Sequence, residues 1–299
     1  MSMRRALAAL LLSVILIAPA AAQQLTGTLE KIKDTNTITF GHRESSIPFA
    51  YYDQNQKVVG YSQDFALKVV DALKKDLNLP NLRVKLLPVT AQNRITMVQN
   101  GTIDIECGST TNNAERQKQA AFSVTIFVIG TRLLTKRNSG ITNFPDLKGK
   151  TVVVTAGTTS ETLINKMNQE KHMNMRIISA KDHGESFRTL ETGGAVVFML
   201  DDVLLAGERM NAKHPEDYII VGTQQSREAY GCMFRKDDPD FKKFVNNVFS
   251  KVMTSGEADK IYKKWFLSPI PPKGLNMHLP MSKELAADFK HPNDIEDYQ

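Results

Sequence analysis

From Thr37 onward, short runs of apolar residues alternate with stretches in which apolar positions recur every three or four residues, the pattern of strands and helices in α/β order. Thr37 to His42 reads as a first strand, Pro48 to Tyr61 as a hairpin turning at Asp53-Gln54-Asn55, and the next stretch as a helix with Phe65, Val69, Leu73 and Leu77 on one face. Strand Val84 to Val89, a short helix from Asn93 to Asn100 ending at Gly101, and strand Ile103 to Gly108 complete one wound unit. A second unit follows Lys150: strand Thr151 to Thr155, a helix from Ser160, strand Arg176 to Ser179, a helix around Phe187 to Leu190, and strand Ala195 to Leu200. Two extended segments, Ile126 to Thr135 and Tyr230 to Arg235, stand where the chain passes between the units and are expected to be hinge strands. Pro239 to Phe266 is helical in pattern, and its position returns it to the first unit. Beyond Ser268, Pro269, Pro271 and Pro272 break any helix, and a polar tail wrapping the surface is expected.

The expected fold class is therefore α/β with two lobes, each a wound sheet with flanking helices, joined by two hinge strands. Residues 23–130 and 230–267 would form lobe 1, 131–229 lobe 2, and 268–299 the C-terminal tail.

The N-terminus changes the picture of where this happens. Arg4 and Arg5 precede an apolar run from Ala6 to Ile17, then Pro19 and Ala20-Ala21-Ala22, the layout of a signal peptide over residues 1–22 cleaved after Ala22. The run is shorter than the roughly 20 residues of a spanning helix. The expected product is exported and not membrane-embedded. The formal charge of +6 falls to +4 when Arg4 and Arg5 are lost, and the remaining cations are interleaved with acids, which leaves no nucleic-acid footprint. In an oxidising compartment Cys107 and Cys232 are expected to pair, the alternative being two buried thiols. The six histidines show no ligand spacing, so no metal is expected. No G-x-x-x-x-G-K-[ST] appears, and no cofactor is expected.

Candidate chemistry gathers in three strand-to-helix turns rich in hydroxyls, amides and charges: Gly41 to Ser46, Gly108 to Arg116 and Thr155 to Glu161. In open α/β sheets ligands bind at the carboxyl ends of strands. Asn112-x-x-Glu115 and Thr158-x-x-Glu161 match capping boxes, which would set backbone N–H donors beside Thr111 and Thr159. Arg43, Arg94 and Arg116 sit at or just after such turns, and three such cations suit a ligand with two carboxylates. His183 opens another helix. Asp201 ends a strand, where it either pairs an ammonium group or caps the next helix, a job Asp202 can also take.

These residues carry a resemblance. Gly41-His42-Arg43-Glu44-Ser45-Ser46, Gln92-Asn93-Arg94-Ile95, Glu106 to Asn113, Gly157-Thr158-Thr159-Ser160-Glu161, Lys181-Asp182-His183-Gly184, Tyr230-Gly231-Cys232-Met233 and Lys264-Trp265-Phe266 run in order along the chain. The chain resembles the glutamate/aspartate branch of the polar amino-acid substrate-binding proteins of ABC importers. The resemblance implies a periplasmic, monomeric protein that binds L-glutamate and L-aspartate and hands them to inner-membrane permease subunits. It implies that Arg116 and the turns bearing Thr111, Thr158 and Thr159 hold the ligand α-carboxylate. Asp201 with Ser109 would hold the ammonium, and Arg43, Arg94 and His183 the side-chain carboxylate. Two departures stand out: Gly60-Tyr61-Ser62-Gln63-Asp64 keeps only the second acid of a family motif, and Ala91 stands where relatives often carry serine. The alternatives are an exported dehydratase of similar fold and a sensory protein that docks on a receptor.

Overall fold

The computed structural model describes residues 25–295; the expected signal peptide and its cleavage site lie outside the described residues. Two five-stranded sheets carry the cores. In the first, the order is Arg83–Pro88, Thr37–His42, Ile105–Glu106, Met233–Arg235, Ala120–Phe122. Thr37–His42 pairs in parallel with both neighbours, and Met233–Arg235 runs antiparallel to both of its own. In the second, the order is Arg176–Ala180, Thr151–Thr155, Val197–Asp201, Thr131–Lys136, Tyr218–Val221, with the first three parallel and Thr131–Lys136 antiparallel. In each sheet a central strand lies between two parallel neighbours reached in opposite directions, so a topological switch point opens at its carboxyl end. Val152–Val154 and Val197–Leu200 are fully buried, as expected of parallel strands covered on both faces.

A three-stranded sheet, Thr111–Asn112, Glu228–Tyr230 and Phe127–Ile129, joins the lobes. Each extended segment expected to be a hinge thus divides in two: Phe127–Ile129 and Glu228–Tyr230 are hinge strands, while Thr131–Lys136 and Met233–Arg235 belong to the lobe sheets. Gly130 and the Gly231-Cys232 pair separate them, and β character on both sides hides the break from a linear reading. Behind the hinge, Phe49 packs edge-on against Phe127 and Tyr230 at centroid distances of 4.9 and 5.1 Å, and the Tyr61 hydroxyl donates to the Ile126 carbonyl at 2.7 Å.

The expected helix of lobe 1 spans Tyr61–Asp76, with Phe65, Val69 and Leu73 buried. Gly60 precedes it at φ 145°, where a Cβ would lie 2.1 Å from the Phe49 carbonyl oxygen, so only glycine fits. Asp64, the retained acid, accepts from Lys264 Nζ and Trp265 Nε1, both at 2.7 Å, and ties this helix to the returning segment. That segment is two helices, Pro239–Thr254 and Glu257–Phe266, divided at Gly256 in the left-handed conformation. The expected tail differs as well: Lys283–Lys290 is a helix, capped by Ser282 Oγ and burying Leu285 and Phe289. Its apolar spacing is too short to stand out from the polar residues around it. A helix over Gly27–Thr35, which the sequence pattern did not single out, packs Leu29 and Ile32 into lobe 1.

The expected disulfide is present: Cys107 and Cys232 are bonded at 2.10 Å, with Cα atoms 4.5 Å apart and a sequence separation of 125. It joins the end of strand Ile105–Glu106 to the start of Met233–Arg235, its neighbour in the first sheet. Among the described residues no helix is long and apolar enough to cross a membrane.

Candidate functional site

Most of the expected site residues lie just after a strand of a lobe sheet or at the start of a helix, and Thr111 lies in the hinge sheet. On the lobe 1 side, Arg43 follows strand Thr37–His42 and Arg94 opens helix Arg94–Gln99; each is 1% exposed. Arg94 Nη1 donates to the Ser109 carbonyl at 3.2 Å and to Thr110 Oγ1, which in turn donates to Glu106 Oε2 at 2.5 Å. Ser109 Oγ donates to Ser46 Oγ at 3.2 Å.

Arg116 lies in helix Ala114–Gln117. The cap there is Asn113, whose side chain accepts from the Arg116 N–H, and not Asn112 as the spacing suggests. Asn112 is paired in the hinge sheet, so its backbone is committed before the helix begins. The Arg116 guanidinium donates to the Thr111 carbonyl at 2.9 Å and, across the boundary, to the Gly157 carbonyl at 3.2 Å.

On the lobe 2 side, Thr158 caps helix Thr159–Glu170 by accepting from Glu161 N at 3.1 Å. The reciprocal bond falls one residue early, from Gly157 N to Glu161 Oε2 at 2.7 Å. His183 opens helix His183–Glu191, its Nδ1 2.8 Å from Thr155 Oγ1 and its Nε2 3.4 Å from Arg43 Nη2. Burial, then the charges of Arg43 and Arg94, hold its pKa well below the usual imidazole value. The ring is therefore neutral at pH 7; because arginine only donates, Nε2 accepts and the proton sits on Nδ1. Asp201 occupies the cap position of helix Asp202–Asn211 but makes no cap bond, while Asp202 Oδ1 accepts from Val203 N at 2.8 Å. The two roles left open for Asp201 are thereby separated: its Oδ2 accepts from the buried Tyr230 hydroxyl.

The electrostatics point to a charged ligand. Burial, then repulsion from Arg94, lowers the Arg43 and Arg116 pKa values to about 10, and burial lowers that of Arg94. Burial, then the neighbouring Glu228, raises Asp201 to about 8. Arg43 Nη1, Arg94 Nε and Asp201 Oδ1 are buried with no hydrogen-bond partner among the described residues. Uncompensated buried charges are costly, and such groups are normally satisfied.

The lobes are in contact. Besides Arg116 to Gly157 and Arg43 to His183, Gly184 N donates to Ser45 Oγ at 3.3 Å. A cavity of about 510 Å³ opens at the hinge end of the boundary, lined by Thr111, Arg116, Gly157, Thr159, Ser226 and Glu228 among others. Sequence reasoning missed Glu228, the Tyr230 hydroxyl, Thr110 and Glu106. Glu228 had one available signal, a lone acid immediately before the second crossing.

The Escherichia coli (strain K12) glutamate/aspartate import solute-binding protein is 64% identical over 277 residues, 93% of this chain and 90% of that protein. The L-glutamate/L-aspartate-binding protein of Pseudomonas aeruginosa is 59% identical over 285 residues, 95% of this chain and 94% of its own. Among solved structures, an ancestral arginine-binding protein bound to arginine superposes with a TM-score of 0.70 at 29% identity, covering 77% of this chain and 98% of that one. These are solute-binding proteins and not enzymes, which removes the dehydratase alternative. A family model matches residues 38–268, and the chain belongs to the bacterial extracellular solute-binding proteins, family 3.

Proposed function

We propose that this protein captures L-glutamate and L-aspartate between its lobes in the periplasm and delivers them to the inner-membrane permease of an ABC importer. The observation that carries the reading is the meeting, at one buried boundary, of two guanidinium donors and one carboxylate oxygen that lack partners. An amino acid with a second carboxylate satisfies all three.

Arg116 and the backbone N–H groups of Thr111 and Thr159 take the α-carboxylate, with Thr158 setting the helix N-terminus. The Thr111 and Thr159 hydroxyls are already committed to Glu228, which leaves the main chain as donor. Asp201 Oδ1 and Ser109 take the ammonium. Arg43 and Arg94 take the side-chain carboxylate, with His183 orienting Arg43. Lobe 1 comprises 23–130 and 230–267, lobe 2 comprises 131–229, and the protein acts as a monomer exported by a signal cleaved after Ala22. Closure about the hinge is a population shift driven by contacts that exist only when both lobes touch the ligand.

The test is a melting series on protein unfolded and refolded to strip bound ligand. At a hundred times the dissociation constant, a ligand stabilises by about 2.7 kcal/mol. Shifts are expected with glutamate and aspartate and not with glutamine, asparagine or lysine. Arg116→Ala should abolish all binding, whereas Arg94→Ala should lose about 2–5 kcal/mol of preference for acidic ligands. Unchanged glutamate affinity in Arg94→Ala would refute the assignment of the side-chain subsite.

A further inference from the structure

Glu228 opens the hinge strand Glu228–Tyr230 and is 7% exposed. Its carboxylate is a point of convergence for hydroxyls from both sides of the boundary. Oε2 accepts from Thr111 Oγ1 at 2.6 Å and from Thr159 Oγ1 at 2.8 Å. Oε1 accepts from Ser226 Oγ at 2.6 Å and from Thr131 Oγ1 at 3.3 Å. Thr111 lies in the hinge sheet, paired with Tyr230 and following strand Ile105–Glu106 of the first sheet, and Thr159 opens the helix after strand Thr151–Thr155 of the second. The two bonds to Oε2 therefore join Thr111 of the hinge sheet to Thr159 at the start of a second-lobe helix, whereas the bonds to Oε1 stay on the hinge and the second lobe.

We propose that Glu228 is a positioning residue that clasps the closed form, holding Thr111 and Thr159 in register so that their backbone N–H groups converge on one carboxylate. Four hydroxyl donors require two acceptor oxygens, which a carboxylate offers and a carboxamide does not. The clasp touches neither end of the ligand side chain, so it sets how long a ligand is held and not which acid is preferred. Its charge also supports the Arg116 guanidinium, which it favours in the protonated form. This inference rests on the reading of the boundary as an acidic amino-acid site.

The experiment measures stopped-flow dissociation of L-glutamate and L-aspartate from the full mature protein and from Glu228→Ala, Glu228→Gln and Thr159→Val, alone and combined. Glu228→Ala should speed dissociation of both ligands by the same factor, about tenfold on the strength of hydrogen bonds to a charged acceptor. Thr159→Val should add nothing to Glu228→Ala, because the two changes remove one interaction. Glu228→Gln keeps the volume and one acceptor and should fall between, which preserves the test if the alanine variant folds poorly. Unchanged dissociation, a shifted glutamate-to-aspartate ratio, or full additivity with Thr159→Val would each overturn the proposal. If the wild-type protein bound neither acid, the site reading would fall. The clasp would then be judged by small-angle scattering: a larger radius of gyration in Glu228→Gln than in wild type upholds it, and equal radii reject it.

Discussion

At the scale of single residues, the boundary is organised around charges that have left water. Asp201 and Glu208 are both buried, both pushed up to about 8, and each has one oxygen without a partner among the described residues. Burial is the main cause in both; Glu228 adds to it at Asp201, and Asp182 adds to it at Glu208 while Arg43 opposes. A carboxyl whose pKa is raised on folding binds a proton in the folded state that the unfolded chain has released. Its contribution is complete below the unfolded values of 3.8 and 4.5 and is lost as pH rises to about 8. The ligand-free protein should therefore melt at progressively lower temperature between these limits, and combining Asp201→Asn with Glu208→Gln should flatten that slope. An ammonium group on Asp201 reverses its shift, so ligand binding at pH 7 should release a proton. Calorimetry in two buffers of different ionisation heat measures this, and proton uptake would contradict the role given to Asp201.

At the scale of elements, the turns decide whether the lobes meet. Gly157 has φ +78°, and a Cβ there would lie 2.7 Å from Gln92 N and 2.8 Å from the Ala91 carbonyl, main-chain atoms of the opposite lobe. Gly157→Ala adds conformational strain of about 1–2 kcal/mol and a clash that exists only on closure. Ligand affinity should fall by more than about tenfold while the ligand-free protein melts within a few degrees of wild type; equal affinity would show that the contact is not needed for closure. Ala91, one of the departures from the family pattern, is buried and presents its carbonyl to this turn. Elements with strong periodicity were readable at this scale. Thr151–Thr155 coincides with its expected bounds, and Thr158 caps its helix as its spacing indicates. Boundaries set by a single glycine between two elements of one type, at Gly130 and Gly256, were not.

For the whole molecule, the segment beyond residue 268, where the family match ends, straps the two lobes. Tyr51 of lobe 1 donates to the Pro271 carbonyl at 2.7 Å, and Lys273 Nζ reaches the Ala212 carbonyl, just past helix Asp202–Asn211 of lobe 2, at 2.5 Å. Farther along, Glu284 pairs with Arg227 at 3.3 Å, and the Asn293 carbonyl accepts from Thr125 N at 2.7 Å beside the hinge. Deleting residues 269–299 should lower stability through loss of buried Leu285 and Phe289, at about 1.5–3 kcal/mol each. It should also weaken glutamate and aspartate binding equally. Lys273→Met isolates the lobe 2 contact and should weaken binding with little loss of melting temperature; full glutamate affinity in both variants would mean the strap plays no part in closure.

The two wound units, the charge types at their strand ends and the disulfide partners followed from the sequence, because hydrophobic period, cap chemistry and cysteine count are local properties. Which charges are left unpartnered depended on the tertiary structure. Asp201 accepts from Tyr230 and makes no helix-cap bond, His183 is held neutral by burial and then by the charges of Arg43 and Arg94, and Glu228 gathers the hydroxyls of Thr159 and Thr111, 69 and 117 positions away. Those facts arise where separate segments exclude water together, and no local spacing along the chain encodes that exclusion.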